Sequence, residues 1–306
     1  MASTQPAGEP APLALPQRLA LPPSAPPAAP VTLPDRTGPH GAPVSWNPAW
    51  PKFHTGEWIA TGAGALALLA SRILPQREVH WRGGILFDEK AREHLRVGGL
   101  SGRRWARDAS DIGLVVNESW PYFDSFVVAA WYRDSPEVAW QQGLITAEVL
   151  AVTAGMQSVV ASLVARERPY GRLCGSELLP DESRDCDSRD RYFSFYSGHT
   201  SQAFAGAAVN CMHHAYVPLY GGGWNDTWPC VGSFAIAAAT AFFRVGTDVH
   251  YTTDVATGAI MGTATGLLLP WFLHYRHGTP TPLGDDRSWR FTLIPTGLGA
   301  SGVLVF

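Results

Sequence analysis

Nineteen consecutive residues, 255–273, carry no charged side chain. The stretch immediately before them, FRVGTDVHYTTD at 243–254, holds an arginine, a histidine and two aspartates. A run this long and this apolar reads as a membrane helix, and it limits the chain to folds that satisfy every backbone polar group inside the lipid. Residues 143–165, with a single charge, span about 34 Å at 1.5 Å per residue and are also long enough to cross. Residues 58–74, 200–219 and 231–243 are further apolar candidates. Residues 111–132 are the weakest, because Asp111, Glu118, Pro121 and Asp124 fall inside them. A charge near the bilayer centre costs about 2.5–3.5 kcal/mol on insertion scales, so those groups must face other helices or water. The fold class expected is therefore all-α, a six-helix transmembrane bundle dense in small residues, as close helix packing in lipid requires.

Composition agrees. Charged residues make up 16% of the 306-residue chain, well below the usual quarter. Twelve tryptophans, several bracketing apolar runs (Trp46, Trp50, Trp58, Trp120, Trp131, Trp140, Trp224, Trp228, Trp271), resemble an interfacial aromatic belt. Fourteen of the 25 prolines lie in residues 1–51, so residues 1–45 are expected to be a disordered Pro/Ala-rich tail. Residues 46–277 would form the helical domain, with its core at 143–275. Residues 278–306 read as a tail with one or two short strands. Residues 88–96, DEKAREHLR, read as a surface helix. A net charge of −3 gives no reason to expect nucleic acid as a partner. The four cysteines include no CxxC pair, so neither metal nor cofactor is implied. Cys174 and Cys186 share one loop, which fits either a disulfide outside the cytoplasm or two thiols.

Three polar clusters lie at the ends of apolar segments: ARERPYGR at 165–172, FYSGHTSQ at 195–202 and the stretch at 243–254. If the helices alternate in direction, parity alone brings Arg168, His199, Arg244, His250 and Asp254 to one membrane face. Two arginines and two histidines around one point suit a phosphate ester. The guanidinium fork donates paired hydrogen bonds to phosphate oxygens. Ser197 and Gly198 open a helix, whose free N–H groups attract an anion. One histidine can attack phosphorus while the other protonates the leaving oxygen. His250 and Asp254 are four apart and share a helical face, so the aspartate is expected to hold one ring nitrogen of the histidine.

These clusters resemble the signature of the type 2 phosphatidic acid phosphatase superfamily, which also holds bacterial acid phosphatases and vanadium haloperoxidases. The third element, Arg244, five residues, His250, three residues, Asp254, matches in full spacing. The second, Ser197-Gly198-His199, follows Tyr196 where the family has proline. The first keeps Arg168-Pro169, but the family's lysine position is Ala161, and Arg166 or Arg172 is expected to stand in. The resemblance implies that His250 is a nucleophile that becomes phosphohistidine, Asp254 orients it and His199 is the general acid. It implies that Arg168, Arg244, Ser197 and Gly198 bind phosphate. The function implied is hydrolysis of a lipid phosphate or diphosphate monoester at a bilayer. The alternatives are a lipid head-group phosphotransferase and a catalytically impaired protein of the same fold, with a vanadate-dependent peroxidase a distant fourth reading. In the family the site faces away from the cytoplasm. The nine Arg/Lys from Arg72 to Arg107 point the other way by the positive-inside rule, if all six helices cross.

Overall fold

A computed structural model describes residues 41–74, 80–174, 186–279, 290–296 and 299–305, the last two ranges by their backbone. The expected tail at 1–45 lies almost wholly outside them. The described residues contain seven α-helices: α1 Thr55–Ile73, α2 Asp88–Leu95, α3 Leu100–Phe123, α4 Pro136–Val164, α5 Gly198–Tyr216, α6 Trp224–Gly246 and α7 Thr252–Leu273. The α3 helix continues as a wider π-helical turn over Asp124–Tyr132. Six helices correspond to the six expected segments. The seventh, α2, is the surface helix expected at 88–96. The α3 helix starts eleven residues earlier than expected, because Arg103, Arg104 and Arg107 are built into its first turns. Three helices, α4, α6 and α7, are long and apolar enough by length and composition to cross a membrane. Near the C-terminus, β1 (Arg290–Thr296) and β2 (Gly299–Val305) form an antiparallel hairpin.

The packing is inverted relative to a water-soluble protein. Large apolar side chains face outward on five of the six long helices, all but the central α5: Ile59 and Leu66 on α1, Ile112 and Val115 on α3, Leu163 on α4, Phe242 on α6, Ile260 on α7. The interior is small and polar, with Ala203, Ala205, Gly206, Ala207 and Ala208 of α5 buried beside Ser201, Asn210 and Thr146. Only a lipid solvent stabilises that arrangement over the reverse. The chain is an integral membrane protein. The tryptophans divide. Trp58, Trp131, Trp140, Trp224 and Trp228 are exposed, as a belt requires, whereas Trp46 and Trp50 are buried core residues packed on Tyr275.

The α5 helix is central, touched by α3, α4, α6 and α7, and its contact with α7 is the most extensive between any two helices. Glycines make it possible. A Cβ on Gly262 of α7 would fall inside the van der Waals envelope of the Ser201 carbonyl, and one on Gly206 would do so at Asn117. Gly262→Val should therefore destabilise the bundle by about 1–3 kcal/mol, the usual cost of overpacking. Thermal unfolding in detergent measures it. Gly62→Val is the control, since a Cβ there meets nothing within 4 Å, and equal losses in both variants would refute the packing argument.

Candidate active site

The helices alternate in direction, and one end of the bundle collects the C-termini of α1, α4 and α6 with the N-termini of α3, α5 and α7. There an open cleft of about 260 Å³ is lined by Arg168, His199, Gly198, Arg244 and His250. Arg72, Arg107, Asp111, Gln157, Tyr170, Ser188, Asp190 and Phe193 complete its wall. Arg168 and His250 thus share one cleft wall, as helix parity places them, although 82 residues separate them; Asp254 does not line it.

The histidine is set by its neighbours. His250 follows α6 in a short link, and its Nδ1–H donates to the Ser194 carbonyl at 2.8 Å. That contact fixes the tautomer and leaves Nε2 for the cleft. Burial, and then the nearby Arg168 and Arg244 charges, hold the imidazole well below its ordinary pKa, so the ring is neutral at pH 7. The expected hydrogen bond from His250 to Asp254 is not made: the ring nitrogen and Oδ2 stand 3.9 Å apart. Asp254 instead accepts from Ser194 Oγ at 2.6 Å and from the Tyr251 N–H at 2.9 Å. Its hold on His250 runs through Ser194, whose carbonyl carries the ring. An i,i+4 spacing predicts contact only inside a helix, and His250 lies just outside α7.

The other oxygen of Asp254 receives Arg166 Nη1 at 2.5 Å, and Arg166 Nη2 reaches Asp88 at 2.8 Å. This guanidinium is fully buried between the rings of Trp81 and Tyr251, 4.3 and 4.1 Å from their centroids. Arg166 therefore does not stand in for the family's lysine. Nor does Arg172, which pairs with Glu89 at 2.7 Å away from the cleft wall. Ala161 is buried, and one turn earlier Gln157 lines the cleft and donates to the Tyr196 carbonyl at 2.9 Å. The extra cations come from elsewhere: Arg72 at the end of α1 and Arg107 on α3.

Ser197 also departs from expectation. Its hydroxyl caps α5, accepting from Thr200 Oγ1 at 2.9 Å, and its N–H donates to the Asp254 carbonyl at 3.1 Å, so neither group is offered to the cleft. Gly198 is the residue of that pair that lines it. Asp111 was not expected at the site. It meets His199 Nε2 at 2.9 Å and Arg244 Nη1 at 3.3 Å. The signal was present in the sequence, since a carboxylate within an otherwise apolar helix needs a partner.

The buried Nε atoms of Arg168 and Arg244 have no hydrogen-bond acceptor on the protein. Both belong to the cleft wall, and buried donors are nearly always satisfied. An anion in the cleft would satisfy them. The family model described as the PAP2 superfamily matches residues 142–277. This segment is similar to the PAP2 superfamily. It carries all three polar clusters, and the family is the one they resemble. A transmembrane PAP2-type phosphatidylglycerolphosphate phosphatase from Bacillus subtilis, known from its crystal structure, is 17% identical. The match covers 70% of this chain and 94% of that one, with a TM-score of 0.44. No curated protein matches the chain.

Proposed function

We propose that the chain is a membrane phosphatase that hydrolyses a lipid phosphate or diphosphate monoester through a phosphohistidine at His250. The observation that carries this reading is the pair of unsatisfied guanidinium nitrogens beside a neutral histidine. Arg168 and Arg244 hold the phosphate oxygens, with Gly198 at the α5 N-terminus and with Arg107 supplying charge that Ala161 does not. Nε2 of His250 attacks phosphorus. The bond to the leaving oxygen breaks, and His199 gives that oxygen its proton. Water then attacks the phosphohistidine, its proton returns to His199, and inorganic phosphate leaves as the P–N bond breaks. All six long helices cross the bilayer, so the cleft opens at the membrane surface where a lipid head group lies.

The site faces an extracytoplasmic compartment. The Cys174–Cys186 disulfide, in the loop between the first two motifs, favours that side. Four of the nine basic residues that would count against it are committed to carboxylates on the site's own side: Arg72 to Asp190, Arg82 to Glu167, Arg92 and Arg96 to Asp248. Labelling of a cysteine introduced at Ser188 in intact cells by a membrane-impermeant maleimide reports the side, and exclusively cytoplasmic labelling would reverse the orientation.

The functional test is phosphate release by purified protein from a panel of lipid phosphates and diphosphates in detergent micelles, with and without an alcohol acceptor. Release from at least one lipid substrate is expected. Transfer to the alcohol with no free phosphate would make the chain a transferase instead. Within that assay Asp111→Asn should lower kcat about 10- to 100-fold, part of the 10²–10⁴ that a general acid contributes. Burial and the Arg244 charge already hold the His199 imidazole down to about 4 against the opposing pull of Asp111, so the alkaline limb of the pH profile should move to still lower pH when that carboxylate is gone. An unchanged profile would separate Asp111 from proton transfer.

A further inference from the structure

At the end of the bundle away from the cleft, three ionisable side chains from three helices meet. Glu57 lies in the first turn of α1, Glu148 on α4, and His274 one residue past α7. All three are buried: Glu57 and Glu148 are 2% exposed and His274 is 0%. One nitrogen or oxygen from each lies within 4.8 Å of the others. The phosphate chemistry does not use them. The α7 helix starts at the cleft and ends here, so its 22 residues put about 33 Å between the two places.

The orientation of these groups is that of ligands lacking their ion. His274 Nδ1–H donates to the Pro51 carbonyl at 2.8 Å, which fixes the tautomer and turns Nε2 inward. Metal-binding histidines are oriented this way by a backbone carbonyl or carboxylate. Glu57 Oε2 accepts the His54 N–H at 2.9 Å, which leaves Oε1 facing inward. Nε2 and Oε1 then stand 2.7 Å apart, yet off the axis a hydrogen bond needs, and both are buried atoms with no hydrogen-bond partner. With a neutral ring, two lone pairs face each other. With a charged ring, one positive charge faces two buried carboxylates. The neutral ring leaves two buried lone pairs in contact, and the charged ring leaves one buried carboxylate without a charge partner unless it keeps its proton; each arrangement is costly. A divalent cation balances two carboxylates and accepts the imidazole lone pair.

We infer that Glu57, Glu148 and His274 form a site for one divalent transition-metal ion of the zinc class. One nitrogen and two carboxylate ligands match the donors zinc takes at 2.0–2.2 Å, and small side-chain rotations bring the three atoms to that radius. Zinc outcompetes manganese and iron(II) for such a site. The ion ties the start of α1 and the end of α7 to the middle of α4, so its role is structural, and it stabilises the folded state by mass action.

The test uses the full-length protein purified in detergent through a tag without histidines, after growth in zinc-supplemented medium. Elemental analysis should find about one zinc per chain. Chelator-stripped protein should bind Co²⁺ with a visible d–d absorption band, and its Tm should rise when Zn²⁺ is added back. Glu148→Gln keeps the shape and removes the charge, so it should weaken Co²⁺ binding at least about 100-fold, with His274→Asn doing the same. Retained lipid phosphate hydrolysis shows that each variant is folded. Wild-type protein that holds no zinc and gives no Co²⁺ band would overturn the site, as would Glu148→Gln and His274→Asn binding Co²⁺ as tightly as wild type.

Discussion

His250→Ala should abolish phosphate release, lowering kcat on the order of 10⁶-fold, the scale on which removal of a covalent nucleophile acts in hydrolases. The expectation rests on position and protonation together. Nδ1 is committed to the Ser194 carbonyl, so one nitrogen is available to attack and its proton state is fixed. The ring is buried beside two guanidiniums that oppose its protonation, so the lone pair persists well below pH 6.5. Acidification from pH 7 should therefore not switch the nucleophile off, and loss of activity on that side should follow other groups. Rapid quench with a ³²P-labelled substrate should trap an acid-labile, base-stable phosphoenzyme in wild type and none in His250→Ala. His199→Ala should still form some phosphoenzyme from a substrate whose leaving group needs no proton, such as an activated aryl phosphate. Phosphate release by His250→Ala within tenfold of wild type would remove the histidine from the chemistry altogether.

What the sequence made legible was topology, and what it hid was side-chain destination. Helix parity needs only the positions of apolar runs, and those survive errors of several residues in every boundary. The convergence of Arg168, His199, Arg244 and His250 therefore followed from counting crossings. Ser197, Asp254 and Arg166 were harder because each had two chemically reasonable partners. A serine before a helix can cap it or face a ligand, and here the orphan N–H groups of α5 claimed it. Asp254 had His250 at the right spacing, but the chain turns between them, and Ser194 and Arg166 arrived from 60 and 88 residues away. Arg166 looked like a phosphate ligand because it sits two residues before one. On the extended backbone leaving α4, residues two apart share a side only if no turn intervenes, and the Trp81 strand-like contact redirects it inward. Trp46 and Trp50 illustrate the same limit, since amphipathic rings serve equally in a belt or in a core.

Arg166→Met should cost about 3–5 kcal/mol of stability, the penalty for leaving buried charge without its partner. The guanidinium is the only positive charge paired directly with Asp88 and Asp254 among the described residues, and all three are buried. Burial pushes the Asp88 carboxyl up, but hydrogen bonds from the Ile85 N–H, from Arg166 and from Thr253 together hold it below the ordinary carboxylate range. Asp88 is therefore ionised and depends on its donors. The Arg166→Lys variant should recover little, because one ammonium cannot span two carboxylates while lying flat between Trp81 and Tyr251. Arg166→Met with Asp88→Asn should recover part of the stability, since one of the two stranded charges is then gone. Activity separates structure from positioning. If Arg166 only stabilises the fold, kcat measured well below Tm should match wild type. If it fixes Asp254, and through Ser194 the angle of His250, kcat should stay low in the double variant even where stability returns, with KM little changed. A single variant with wild-type Tm and wild-type kcat would show that the buried triad holds neither the bundle nor the nucleophile.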